Sequence, residues 1–360
     1  MQKKLIALAI TAAFASAPAF ADTQVYGLID SGYNNVSNTH TLTNGTSSKT
    51  GESGISFSAN QTSKVGVKST EDLGNGMKGI YQLEMGLSSN PASDANFGSA
   101  GIKTGTGANS GFVPNSTISP DRILTAGLDF GQGTTLTVGR MSSPFRGIVY
   151  GNDAFYGSNL VGNLVTMDSA LTARVIAANV EQKFGAVTGT VALLDDTQTA
   201  DGTADVKVKN GFEATAVYKQ DALSVSGGYR NTKVAPLATV ETTTKEMILA
   251  ANYDFGVAKL YGQFAQVKAD ATTSTKKTYE TLGVNVPFTS ALAGYVQTSF
   301  GKNDIGTDSP KMSAFAVGGK YSMSKDTWAY ADVGTAKQDN TSLTAGSKVD
   351  QVAVGLVHSF

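Results

Sequence analysis

The chain has no cysteine among its 360 residues. That excludes a disulfide framework, thiolate catalysis and cysteine-based metal sites. Histidine is almost as scarce, with only His40, in a polar stretch, and His358, near the end. No His/Glu metal spacing and no G-x-S-x-G elbow occurs, so the usual marks of a hydrolase or metalloenzyme are missing. The segment GTGANSG (105–111) has the look of a phosphate loop. No apolar strand leads into it and no helix pattern follows, so it reads as a surface loop. The paired acids Asp195 and Asp196 lie in another polar stretch without a partner base. These absences argue against an enzyme and predict neither cofactor nor metal. Charge of one sign is lacking too: 28 basic against 29 acidic residues leave a formal charge of −1, which excludes a strongly basic nucleic-acid binder. Beyond the N-terminus no run approaches 18 consecutive apolar residues, so no transmembrane helix is expected. Helical periodicity is nearly absent. The one place where a short helix is expected is the long connection after Arg140.

What is present begins with an export segment. Lys3 and Lys4 precede an apolar run from Leu5 to Phe14, and Ala19-Phe20-Ala21 is the small-x-small pattern of a signal-peptidase site. The expectation is a signal peptide over 1–21 and a mature chain over 22–360 with a formal charge of −3, two lysines being lost. A membrane anchor is disfavoured because the run is shorter than the roughly 20 residues needed to span and is broken by Pro18. Along the mature chain the dominant pattern has period two. Lys64-Val65-Gly66-Val67-Lys68 alternates charged and apolar residues; Lys78, Gln82 and Glu84 oppose Tyr81, Leu83 and Met85; Val352, Val354 and Leu356 oppose Gln351 and Ser359. Successive side chains of a strand point to opposite faces, so this is a strand signal. Mean hydropathy is −0.09, as it would be for a soluble domain or for a barrel whose two faces cancel.

The connections fall into two classes that alternate. Short breaks occur at 71–76, 130–133, 184–186, 219–222, 254–258, 287–291 and 324–327, rich in Gly, Asp, Asn and Ser, which tolerate positive φ or bond their own backbone. Long polar connections are expected near 37–53, 88–121, 141–170, 195–211, 231–245, 268–277, 301–311 and 335–348. Eight long and seven short connections join sixteen strands in an up-and-down meander, with both termini on the side of the short turns. A sheet that wide must close, split or curl. In a bilayer it must close, because an open edge would strand unpaired backbone groups in hydrocarbon. The expected fold is therefore all-β, a 16-stranded antiparallel transmembrane β-barrel. Sixteen strands leave a lumen too wide for side chains to fill, so water occupies it. A soluble β-sandwich or β-helix is the alternative; the frequent charges on one strand face and the small residues on the other speak against its dry core.

Particular blocks resemble a known family. DTQVYGLIDSGYNNV after the expected cleavage site, SKVGVKSTEDLGNGMKGIYQLEMGL (63–87), TLTVGRMSSPF (135–145) and the terminal VAVGLVHSF (352–360) are similar to corresponding blocks of the Gram-negative general trimeric outer-membrane porins, the Neisseria and Burkholderia kind above all. The resemblance implies a homotrimer in the cell outer membrane that passes ions and small hydrophilic solutes, with no role for nucleic acid. It implies a third loop folded into the barrel, here about Met141 to Ala170, with glycines 147, 151, 157 and 162 helping it bend. Contacts with outer-membrane lipid, lipopolysaccharide and the outer-membrane assembly machinery follow from the same resemblance. The terminal Phe360 would be the assembly signal.

The family opposes loop acids to a basic cluster on the wall, because selective pores ring their narrow point with charge. Lys64, Arg140 and Arg174 match that cluster by motif, and Asp153 is the acid near the middle of the loop. Lys68 and Glu84 have the right face parity to be neighbours. The loop departs from the family pattern in lacking a run of several acids. Tyr26, Tyr33, Phe130, Phe255, Tyr261, Phe288 and Phe300, near predicted strand ends, would suit aromatic girdles at the two interfaces. A solute-specific porin, or an adhesin or receptor using the long loops, are the alternative functions.

Overall fold

A computed structural model describes residues 21–87, 119–155, 157–195, 197–200, 204–236, 242–271, 273–341 and 344–360. The expected export segment, apart from Ala21, lies outside the described residues, and so does most of the expected loop at 88–121. The chain forms β1 (Ala21–Thr41), β2 (Ser47–Phe57), β3 (Lys64–Gly74), β4 (Met77–Gly86), β5 (Ser119–Asp129), β6 (Thr134–Ser142), α1 (Pro144–Gly151), α2 (Leu164–Met167), β7 (Arg174–Phe184), β8 (Val187–Leu194), β9 (Thr197–Ala200) and β10 (Ala204–Gln220). It continues with β11 (Leu223–Pro236), β12 (Thr242–Asp254), β13 (Lys259–Asp270), β14 (Thr275–Pro287), β15 (Leu292–Ile305), β16 (Lys311–Ser322), β17 (Thr327–Gln338) and β18 (Gly346–Ser359).

Consecutive strands pair antiparallel, and β1 pairs with β18 from Leu28 opposite Ser359 to Thr41 opposite Gly346, which closes the cylinder. Two wall strands are each split in two. β2 pairs with the upper half of β1 and β3 with its lower half, around a break at 58–63. β8 and β9 share β10 in the same way. The eighteen segments therefore make sixteen wall strands, as the connections predict.

The short turns fall where the sequence places them, and their chemistry recurs. Asp72, Asp129 and Asp254 each accept a bond from the backbone N–H two residues on, that of Gly74, Gly131 and Gly256, at 2.8–2.9 Å. This side-chain mimic of a backbone turn holds each hairpin. The long connections are shorter than expected. Much of 37–53, 195–211, 231–245, 268–277, 301–311 and 335–348 is strand, leaving gaps such as 42–46 and 306–310. Thr, Ser and Lys read as loop by polarity, but β-branched Thr suits a pleated backbone. Above the apolar band, water can hydrate both faces of a hairpin, so polar side chains do not end the ladder.

The two faces of the wall differ as the alternation requires. Val25, Ile29, Leu124, Val191, Leu249, Leu282, Phe300, Val333 and Val354 are among the large apolar residues exposed on one face. The opposite face carries Asp30, Glu84, Glu213, Arg230, Gln263, Gln297 and Gln351 and lines the interior. Two girdle expectations are corrected here: Tyr26 and Tyr261 occupy positions of the inner face, Tyr261 buried and Tyr26 bonded to Glu84. Tyr33, Phe130, Phe255, Phe288 and Phe300 are exposed as expected. Phe360 is exposed as well, and its ring lies over Gly27, where a Cβ would stand 2.3 Å from its Cζ. Backbone bonds between Gly27 and Phe360, at 2.9 and 3.1 Å, complete the seam. Among the described residues no helix is long and apolar enough to cross a membrane.

Candidate functional site

Residues 143–173 leave the rim between β6 and β7 and pack on the inner face of the wall. The expected short helix is α1, started by Ser143, whose hydroxyl accepts from the N–H of Arg146 at 3.0 Å, with Pro144 at the first turn. Its apolar side, Phe145, Ile148 and Val149, is buried against β10–β12 in a cluster that includes Ile248. Gly147 and Gly151 are ordinary helical residues with open space around them, so they do not bend the loop. Gly157 does, at φ +72°. Gly334 on β17 lets the loop backbone touch the wall, since a Cβ there would lie 1.7 Å from the carbonyl oxygen of Val161.

Polar groups fix the loop in place. Arg230 is 2% exposed and ties its two ends together. Its Nη2 donates to Ser143 Oγ at 2.7 Å and its Nη1 to the Ala170 carbonyl at 2.8 Å. Its charge is met by Glu213 at 2.9 Å and Glu246 at 3.0 Å, and its guanidinium lies 4.8 Å from the Phe145 ring centre. Farther along, three glutamines each take a backbone group of the loop. Gln263 Nε2 donates to Val149 O at 2.6 Å, Gln297 Oε1 accepts from Ala154 N at 3.0 Å, and Gln351 Oε1 accepts from Val161 N at 2.9 Å. Buried backbone groups need such partners. Asn159 N–H donates to the carbonyl of Asn60 at 2.6 Å, so the break at 58–63 meets the loop from the other side.

Both loop acids face the wall. Asp153 is 3% exposed; Asn163 and Gln297 donate to its Oδ1 at 2.9 Å and Gly157 N–H to its Oδ2 at 2.8 Å. Burial pushes its carboxyl up, against those donated bonds. Asp168 accepts from Tyr279 OH at 2.6 Å and pairs with Lys277 at 3.0 Å. The expectation that Asp153 opposes a basic wall across the lumen is thus corrected: its carboxylate is consumed in holding the loop down.

The charged group that stays within reach of water lies on β3–β5. Glu84 is flanked by Arg122 Nε at 2.7 Å, Lys64 Nζ at 3.2 Å and Tyr26 OH at 3.1 Å. The Lys64 side chain is 30% exposed. Gln82 donates to Tyr26 OH at 2.7 Å, and Lys68 Nζ sits 5.9 Å from the Tyr26 ring centre. From the loop, Arg146 stacks on Tyr150 at 4.3 Å, bonds the Thr172 carbonyl, and feels both Arg122 and Glu84 electrostatically.

Of the residues singled out by sequence, the structure brings together Lys64, Glu84 and, through Tyr26, Lys68. Arg140 stands on β6 opposite Leu124 and Ile176, just after Gly139, whose φ of +121° interrupts the pleat. Arg174 opens β7 opposite Ser142. Both are partly buried at the loop's neck and engaged by other groups. Arg122 and Arg146 are the residues sequence reasoning missed. Strict alternation assigns Arg122 to the outer face with Leu124; a register shift between β4 and β5 at Glu84/Gly86 brings it to Glu84 instead.

Comparison with known proteins agrees with this geometry. A family model described as Gram-negative porin matches residues 6–341. The chain is 27% identical to outer membrane porin protein 32 of Delftia acidovorans over the full length of both. Among solved structures, the anion-selective porin from Comamonas acidovorans superposes with a TM-score of 0.70 at 22% identity, covering 94% of this chain and 100% of that one. A trimer form of OmpT from Vibrio cholerae gives 0.63 at 10% identity, covering 95% and 100%.

Proposed function

The chain belongs to the Gram-negative porin family, and from that premise we propose that it is an outer-membrane porin: a water-filled channel for passive diffusion of ions and small hydrophilic solutes. The observation that carries this reading is the wall itself, sixteen strands closed on themselves, apolar outside and charged inside. The loop lies along β10–β18 and leaves the Lys64, Lys68, Glu84 and Arg122 group at the remaining gap. Three lysine and arginine side chains there, joined by Arg146 from the loop, face a single carboxylate. The narrow point is net positive, which favours anions. Arg140 and Arg174, at the loop's neck, extend the same positive field. Because Asp153 and Asp168 are turned away, the loop contributes a cation where an acid was expected.

The mature protein begins after Ala21 and works as a homotrimer in this reading. Outer-leaflet lipopolysaccharide surrounds it, and Phe360 at the seam is the residue presented to the assembly machinery. The test is a planar bilayer with purified folded protein in a salt gradient. Large ohmic steps in threes and a reversal potential of anion-preferring sign are expected. Arg140→Ser should move that potential towards cations while the barrel stays folded. No conductance from folded protein would sink the channel reading; an unmoved potential would remove Arg140 from the constriction.

A further inference from the structure

The Tyr26 side chain on β1 reaches across a whole strand. Tyr26 is directly opposite Gly66 on β3, and Gly66 is directly opposite Glu84 on β4. The ring lies over Gly66, where a Cβ would stand 2.4 Å from its Cζ. A side chain at 66 would lift the ring, so its absence is what makes the bridge possible. At the far end the hydroxyl donates to Glu84 Oε2 at 3.1 Å. Gln82 Nε2 donates to that hydroxyl at 2.7 Å, which aims its single proton at the carboxylate. Lys64 Nζ meets the same Oε2 at 3.2 Å, while Arg122 Nε takes Oε1 at 2.7 Å. One carboxylate oxygen is thus shared between a neutral hydroxyl and an ammonium. The Lys64 contact is the longer of the two ion pairs, and its side chain is the more exposed, 30% against 12% for Arg122.

We propose that Tyr26 is a positioning residue for ion selectivity. By occupying an acceptor site on Glu84 Oε2 it keeps Lys64 from closing onto the carboxylate. An ammonium has three donors; one is spent on Glu84, and the others stay turned to water and passing anions. Without the hydroxyl, Oε2 has one donor fewer, and the charge-assisted bond to Lys64 shortens to take its place. The lysine is then drawn onto the wall and away from the path. Tyr26 carries no charge itself, so its effect on ions runs through Lys64 alone. The assignment rests on the constriction proposed above and deepens it, naming the neutral side chain that sets how much of its positive charge an ion meets.

The test is Tyr26→Phe, which keeps the ring over Gly66 and removes only the hydroxyl. Its first readout needs no channel: acetic anhydride is applied to the full folded protein in detergent, and acetylation of Lys64 is followed by peptide mass spectrometry, with exposed Lys78 as the internal reference. Lys64 should react about threefold more slowly in the variant, the effect of one hydrogen bond exchanged for a tighter ion pair. The second readout is the reversal potential in a potassium chloride gradient. It should move towards cations, with the ratio of anion to cation permeability lower by about twofold. In a Lys64→Gln background, Tyr26→Phe should leave the potential where it is. Equal acetylation rates in wild type and variant, or a shift in potential that persists in the Lys64→Gln background, would overturn the role given to Tyr26. Absence of conductance in the wild type would instead count against the channel reading, and the acetylation rates would still decide whether the hydroxyl holds Lys64 open.

Discussion

Arginine and glutamate meet on both sides of the lumen, with opposite outcomes. On β10–β12, Arg230 sits between Glu213 and Glu246 under the loop, sealed from water on all sides. On β3–β5, Arg122 and Lys64 flank Glu84, with the Lys64 side chain 30% exposed to solvent. The first group is mortar: its charges are spent on one another and on the loop backbone. The second keeps a lysine in contact with solvent and an excess of positive charge, which is why the proposed constriction is assigned to it. Coverage by the loop, more than residue type, decides which of the two a charge becomes.

The largest break in this contrast should come from Arg230→Met. It leaves two buried carboxylates uncompensated and frees both ends of the loop. A loss of about 3–5 kcal/mol is expected for such a pair, read as a lower urea midpoint in detergent and as noisy conductance. An unchanged midpoint with quiet channels would show that the arginine does not hold the loop. Asp153→Ala should come next. Its three donors, from Asn163, Gln297 and Gly157, lose their acceptor, costing about 1–3 kcal/mol. The barrel should persist while the loop tip loosens, visible as faster hydrogen exchange at 153–163; unaltered exchange there would contradict the role given to this acid. Glu84→Gln should affect stability least, because glutamine keeps the size and an acceptor oxygen for Arg122 and the Lys64 side chain stays 30% exposed to solvent. It sharpens the comparison through selectivity. One charge acting at about 7 Å through water is worth roughly one RT, so each ion's permeability should shift about threefold in the anion-favouring direction. A reversal potential equal to that of the wild type would show that this group is also mortar.

Much of this was legible from the chain. The strands and short turns were readable because period two and Asp-x-Gly turns are local signals that depend on neighbours two residues apart. The extent of the upper hairpins was not, since polarity marks contact with water and not the end of a ladder. At the site, Lys64 was singled out by its motif and Lys68 and Glu84 by face parity, and the three lie together on β3 and β4. Arg122 was not, because a register shift broke that parity, and a shift depends on the partner strand. Asp153 was misassigned for a related reason: an acid in a loop reads as exposed, and nothing nearby in sequence announces Gln297, 144 residues on. The Arg230 cluster became visible only once the register set Glu213, Arg230 and Glu246 in one row.

The anchoring of the loop also sets an order of events. Residues 143–173 leave the ribosome before nearly everything they bind: Glu213, Arg230, Gln263, Gln297 and Gln351 come 40 to 210 residues or so later. Contacts of such sequence separation form late, because a long stretch of chain must be organised first. Phe145, Val149 and Leu171 therefore have no home during export, and the bore narrows only after its last staves are in position.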